Sequence, residues 1–381
     1  MNHPTKMSLQ ACSQYTSCQV GRTTLLVPSE SGKWEPWVGS ILYDEKSNFQ
    51  KVRAYTELDC AFPPINAYHI DNALLTNEFI IHRDGVVFVD SSIYSATYQG
   101  AREAEILSAF AGAIQRADEV IDEQYADISG MVFHNEGGGT WGHFIVQNIP
   151  RALLFLQKFP NGKILVPKSH FLPNQSNFNR ALTRLGIPQE CLIPLERTGS
   201  YRFRELVLVD FLFDLPNQIC HPLAKHLLET PFQSDFPLDP KSSSADRIFI
   251  DRPDGFGRTI ANRDHVEEIF RKHGFQRIVL SEKSFETQVD IWRRAKLVAS
   301  TLGSDLTNLI FGNPGTRLMV LSPDWFSDSF FYHLSIQKEM QWNELRCGEM
   351  VEKANIPHRS SFKVDPSILD TMLASLTRRP C

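Results

Sequence analysis

Two stretches hold the residue types from which an anion site is built. The first, Asp251 to Asn262, reads DRPDGFGRTIAN. Gly255 and Gly257 free its backbone, and Arg252 and Arg258 carry guanidinium groups that can give a diphosphate charge-assisted, bidentate hydrogen bonds. Taken alone, the loop reads first as a surface segment with solvated arginines; the anion reading gains because this loop and the Gly303 turn both follow strands of one expected sheet. The second stretch, Ala295 to Thr316, reads AKLVASTLGSDLTNLIFGNPGT. Gly303 permits a tight turn there, and Ser304 and Asp305 are N-cap types ahead of the apolar spacing Leu306, Leu309, Ile310. A strand that enters a short helix through such a turn aims backbone N–H groups and the positive end of a dipole at one spot, which suits a phosphate. Thr307 lies in the same turn. Asn308 shares the helix face of Ser304 and Asp305, where it can bond a ribose or phosphate oxygen or satisfy neighbouring carbonyls, and Gln288 offers the same two uses.

A third candidate precedes them. Glu136 to Thr140 is a glycine turn, followed by an apolar helical pattern from Trp141 to Leu156 with His143 at its entrance. Imidazole titrates in the range a general base needs, and the competing use of His143 is packing or capping under Trp141. Glu136 and Asp305 are carboxylates in the two turns and can act as base instead, although Asp305 is as readily a plain N-cap.

These residues require elements that end at one place. Arg247 to Asp251, Gln276 to Leu280 and Lys296 to Thr301 read as strands, alternating with helices at Asp264 to His273 and Ser284 to Arg294. Upstream, Met131 to His134, Ile164 to Pro167 and Glu205 to Asp210 read as strands, and Gln175 to Leu185 as a helix stopped by Gly186 and Pro188. Phe79 to His82 and Val86 to Val89 flank an Asp84-Gly85 hairpin signal, and Ala101 to Ala117 has helical spacing. Residues 1 to about 65 show little periodicity and read as a peripheral extension. Thr230 to Asp246, TPFQSDFPLDPKSSSAD, reads as a linker, so an N-terminal domain over 1–235 and a C-terminal, ligand-binding domain over 236–381 are expected, with a substrate cleft between them.

Composition narrows the function. The 381 residues are 42% hydrophobic, enough for more than one core, and 39 Lys+Arg against 44 Asp+Glu leave a formal net charge of −5. No basic field exists to hold nucleic acid, so a small or sugar-like substrate is expected. The seven cysteines are scattered without zinc-finger spacing and read as reduced thiols. No apolar run approaches the roughly 18 residues of a membrane span, and Met1 to Ser17 is too polar for a signal peptide, which points to the cytoplasm. Asp210 and Asp214 in DFLFD do not form the paired-carboxylate motif that holds a divalent ion on a nucleotide diphosphate, so neither a metal nor a cofactor is expected. The aromatic group Trp325, Phe326, Phe330, Phe331 and Tyr332 suits either a sugar site or, more ordinarily, a core. No G-x-S-x-G elbow supports a hydrolase.

Four blocks in order resemble glycosyltransferase family 61, which includes EGF-domain and O-mannose sugar transferases, arabinoxylan transferases and many bacterial proteins. Gly139 to Arg151, GTWGHFIVQNIPR, is similar to the family's aromatic-x-His-Trp block ending in Pro-Arg. Arg252, Arg258 and Asn262 fall on its Arg…Arg-x-x-x-Asn block, Phe285 to Gln288 on a stretch ending in Gln, and Ala295 to Gly315 on its long Leu-Thr-Asn block. Leu302, Gln147 and Val320 stand where the family usually has His, an acidic residue and Glu. The resemblance implies a GT-B-like fold of two Rossmann-like domains facing a central cleft, and a bacterial-type inverting glycosyltransferase. Such an enzyme moves a sugar from a nucleotide-sugar donor to a glycan or other hydroxyl acceptor without a metal, as in polysaccharide biosynthesis. It places the donor on Arg252, Arg258, Asn262, Gln288, Gly303, Ser304, Thr307 and Asn308, and catalysis on His143, Asp305 or Glu136. The alternative is a non-catalytic nucleotide- or glycan-binding member of the same fold.

Overall fold

A computed structural model describes residues 8–10, 22–47, 58–76, 79–84, 86–88, 121–133, 139–172, 176–214, 218–232, 245–253, 255, 257–326, 328–355 and 359–378. Glu136, Gly85, the helix expected over 101–117 and most of the serine- and proline-rich stretch lie outside the described residues. The chain divides into two compact units, Met1–Ser31 with Ala61–Pro231 and Gly32–Cys60 with Phe232–Cys381.

The second unit is built on a six-stranded parallel sheet. In spatial order its strands are Gln276–Ile278, Arg247–Ile250, Leu297–Thr301, Arg317–Pro323, Gln341–Cys347 and Val38–Tyr43. Every residue of the strands Leu297–Thr301, Arg317–Pro323 and Gln341–Cys347 is buried, as expected where helices cover both faces. On one face Phe249, Ala299, Met319, Leu321 and Leu345 pack with Val266, Phe270, Leu369 and Leu373 from the helices Arg263–Lys272 and Pro366–Arg378. On the other, the helices Phe285–Arg294 and Phe330–Gln337 bring Trp292 and Tyr332 to the sheet, and the Tyr332 ring meets Trp342 edge-on at 5.7 Å. Taken in chain order from Arg247, the first five strands lie 2-1-3-4-5. The order therefore reverses between Arg247–Ile250 and Leu297–Thr301, and the crevice outside the carboxyl ends of two such strands is where open α/β sheets hold ligands.

Val38–Tyr43 belongs to this sheet, although the sequence suggests only a peripheral extension there. Its partner Gln341–Cys347 lies about three hundred positions away in the chain, beyond the reach of any local period. Asn343 ties the two together: its Oδ1 accepts from Ser40 N at 2.8 Å and its Nδ2 donates to Leu318 O at 2.9 Å.

The first unit holds a nine-stranded mixed sheet. Lys163–Pro167, Ser129–Val132 and Ser200–Val209 run parallel, whereas Ser200–Val209 pairs antiparallel with the long strand Ile65–Thr76. The hairpin is present as Ile80–Arg83 and Val86–Phe88. The helix expected over 141–156 is interrupted. Trp141–His143 is α-helical, Phe144–Asn148 is a π-turn, and Ile149–Lys158 is α-helical again. Pro150 has no N–H to give back to the preceding turn, so the ladder changes step just before it. Phe144 fixes the turn on the core through rings of Phe178 at 4.5 Å, His170 at 5.3 Å and Phe133 at 5.7 Å. None of the described helices is long and apolar enough to cross a membrane.

Because Asn343 satisfies one buried and one half-buried backbone group at once, Asn343→Ala should destabilise the second unit by about 1–3 kcal/mol, the cost of leaving such groups unpaired. Urea unfolding followed by tryptophan fluorescence, which reports Trp292 and Trp342 in that unit, measures it.

Candidate functional site

Backbone clamps fix the start of the arginine loop. Asp251, buried at the end of its strand, accepts from Arg277 Nη2 at 2.7 Å and Nε at 2.9 Å and lies 3.4 Å from Arg263, whose Nη2 donates to Arg252 O at 2.9 Å. The loop then turns through left-handed residues, Gly255 at φ +85°, Gly257 at +71° and Arg258 itself at +53°. A non-glycine residue adopts that conformation only under constraint, and such constraint gathers at functional sites. The restraint is visible: Arg258 N donates to Arg359 O at 3.0 Å, and Phe362 N donates to Thr259 O at 3.1 Å.

Both guanidinium groups converge on the turn after the neighbouring strand. Arg252 donates from Nη2 at 2.8 Å and from Nε at 3.0 Å to the same oxygen of Asp305, and Arg258 Nε donates to Leu302 O at 3.1 Å. A Cβ at Gly303 would run into Nη2 of both arginines, so any other residue there would have to push the guanidinium groups aside. The face of the Arg258 guanidinium lies on the Phe326 ring, 4.2 Å from its centroid. Burial first, and the adjacent Arg252 cation second, push Arg258 down to about 10, with Asp328 and Asp305 acting in the opposite sense. Two cations side by side at a sheet edge, one held to a carboxylate by a single oxygen, form a place where an incoming anion relieves repulsion. Guanidinium groups are among the residue types that bind phosphate oxygens bidentately.

The other residues suggested by the sequence divide clearly. Ser304 and Asp305 open a 3₁₀ turn, Ser304–Phe311, rather than an α-helix, and neither side chain caps it. Thr307 is buried. Asn308 Nδ2 donates to Gln288 Oε1 at 2.7 Å, while Gln288 Nε2 donates to Leu280 O at 3.0 Å and Lys283 O at 3.1 Å, so this buried pair braces the turn against the helix Phe285–Arg294. Asn262 places both ends of its amide on the Val364 backbone, at 2.9 and 3.0 Å. These three residues hold the walls; Arg252, Arg258, Gly303 and Asp305 are the ones brought together. Phe326, offered by the sequence only as one of an aromatic group, and Asp328, not singled out at all, complete the group. The available signal was their place just after the strand Arg317–Pro323, whose carboxyl end lies beside that of Leu297–Thr301. Of the aromatic group, Phe330, Phe331 and Tyr332 are core.

In the first unit, His143 is half-buried on the short turn before the π-segment, and its Nδ1 donates to Gln147 Oε1 at 3.0 Å. A hydrogen bond that keeps the proton on Nδ1 puts the imidazole lone pair on Nε2, the arrangement a general base uses. The Trp141 ring is stacked with Phe144 at 5.8 Å and set edge-on to Phe178 at 5.4 Å. Glu136 falls outside the described residues.

Residues 141–319 match the family model described as Glycosyltransferase 61, a span that contains His143, both arginines and the Gly303 turn. No curated protein matches the chain.

Gly303→Ala should displace both guanidinium groups and weaken binding of ADP, used as a diphosphate probe, by more than about tenfold, the equivalent of one charge-assisted hydrogen bond. Calorimetry with a circular-dichroism check of folding tests this. The site also carries a pH signature. Since the folded protein holds Arg258 at about 10, ADP affinity should stay level through neutral pH and fall as pH rises through about 10, where the cation is lost. Arg258→Lys should move that fall.

Proposed function

The chain belongs to glycosyltransferase family 61 through its residues 141–319, and from that premise we propose that it is an inverting, metal-independent enzyme of GT-B type. It transfers a sugar from a nucleotide-sugar donor to a hydroxyl on a glycan or similar acceptor. The observation that carries this reading is the pair of guanidinium groups packed on Gly303 at the reversal point of the second sheet. The C-terminal domain holds the donor, with its diphosphate against Arg252 and Arg258. The N-terminal domain presents the acceptor.

The reaction breaks the bond between the anomeric carbon and the diphosphate oxygen, and the electron pair leaves with the diphosphate. Arg252 and Arg258 stabilise that developing charge in place of a metal ion. His143 Nε2 takes the proton of the attacking hydroxyl, whose oxygen forms the new bond on the opposite face of the sugar. Gln147 orients the ring through Nδ1. Asp305 is engaged by Arg252 and serves to position that cation rather than to accept a proton. Glu136 is the remaining carboxylate candidate for the base. The residues Gln147, Leu302 and Val320 keep a second reading in play, a binding protein of the same fold without turnover.

A panel of nucleotide sugars screened for thermal stabilisation identifies the donor, since a ligand that binds only the folded state raises the apparent midpoint by mass action. Slow hydrolysis of that donor without acceptor, undiminished in EDTA, is the expected sign of an active, metal-independent transferase. Binding without any hydrolysis favours the second reading. With donor in hand, His143→Ala should lower kcat by about 10²- to 10⁴-fold with donor affinity nearly unchanged. Weakened acceptor binding at preserved kcat would make His143 a binding residue instead.

A further inference from the structure

Under the second sheet lies a buried ion pair that the transfer chemistry does not use. Trp342, Glu344 and Arg346 alternate along the strand Gln341–Cys347 and therefore point to the same face. Glu344 is fully buried: its Oε2 accepts from Trp342 Nε1 at 2.8 Å and its Oε1 from Arg346 Nη1 at 2.9 Å. Arg346 is 1% exposed. A buried pair of this kind is poor stabiliser material, because apolar side chains of equal volume fill such space as well or better. What an apolar pair cannot do is donate beyond itself.

Arg346 does so. With one edge of its guanidinium on Glu344, it reaches the segment that follows the adjacent strand, from Nη2 to Asp324 O at 3.3 Å, from Nη1 to Phe326 O at 3.5 Å, and from Nε toward the Asp324 carboxylate at 3.5 Å. That segment is otherwise fastened by Asp324 N donating to Cys347 O at 3.0 Å and by Phe326 N donating to Pro323 O at 3.1 Å. Phe326 is the residue whose ring carries the Arg258 guanidinium. We infer that Glu344 and Arg346 are positioning residues for the donor site: Glu344 orients Arg346, Arg346 holds the main chain at 324–326, and the Phe326 ring thereby stays beneath Arg258. The requirement is for arginine itself, since only a planar fork has donors on several edges; a lysine keeps the pair with Glu344 and loses the loop. This inference rests on Arg258 as a diphosphate ligand for its functional meaning, but not for its test.

The test reads Arg258 directly. In nitrogen-15 correlation spectra of the full chain, the Nε–H resonance of Arg258 is assigned by its loss in Arg258→Lys. Phe326→Leu removes the ring and defines how far the resonance moves without it. Arg346→Lys is then expected to move the resonance in the same direction and to speed its exchange with solvent. The Nε–H of Arg294, bonded to Asp290 at 3.0 Å elsewhere in the same unit, stays in place as the reference. Glu344→Gln, which keeps the shape but can accept from only one of Trp342 Nε1 and Arg346 Nη1, gives a smaller shift and decides the matter should the lysine variant not fold. An Arg258 resonance that is unmoved in every folded variant of the pair overturns the inference. So does one that moves only together with Arg294, because the pair would then be a general core support. UDP, GDP and ADP titrations add the functional half: Arg346→Lys should weaken the tightest of them by about 2- to 30-fold, the range of couplings carried through intermediate residues. If Arg258→Lys leaves all three affinities unchanged, the donor-site reading fails while the resonance shifts still decide the positioning.

Discussion

Two guanidinium groups occupy the space in which residue 303 would carry its Cβ. Everything else in the second unit answers to that crowding. Like charges in contact cost free energy, and the cost is visible in Arg258, whose proton is held less tightly because of burial and the neighbouring Arg252. The surroundings offset it only in part. Asp305 takes Arg252, the Leu302 carbonyl accepts from Arg258, and the electron-rich face of Phe326 lies under the second cation, a contact worth about 0.5–2 kcal/mol.

Holding such a group requires stiff supports, and the described residues supply them from four directions. Asp251 with Arg263 and Arg277 fixes the strand end, Asn262 fastens the Val364 backbone, Gln288 with Asn308 braces the turn, and Glu344 with Arg346 carries the loop under Phe326. Asp251, Gln288, Asn308, Glu344 and Arg346 are buried, and their hydrogen bonds go to backbone, to a charged partner or, between Asn308 and Gln288, to a matching amide, as burial of such groups requires. Residues that look like ligands in the sequence, Asn262, Gln288 and Asn308, are in fact spent on this framework.

The first unit reaches its candidate base by a different device. A π-turn just before Pro150 buries Phe144 to Asn148 and leaves His143 half-exposed on the turn ahead of it, with Gln147 four residues on meeting Nδ1. An unbroken α-helix would have advanced the register of His143 against the core by part of a turn. The step in the ladder thus sets where the imidazole faces.

The amino-acid sequence alone was enough for the alternation of strands and helices from Gly130 onward and for the turn at Gly303. Those signals are local: a period, a cap or a glycine acts within a few positions. The hairpin at Ile80 to Phe88 was legible for the same reason. Only tertiary structure decided that Val38–Tyr43 completes a sheet whose other strands lie some two hundred or more residues further along, that the strand order reverses beside Arg252, and that Phe326 meets Arg258. It also decided which amides face ligand and which face backbone. These outcomes depend on which strands become neighbours, and parallel pairing is fixed by the packing of both faces of a sheet at once, a condition that no single stretch of sequence contains.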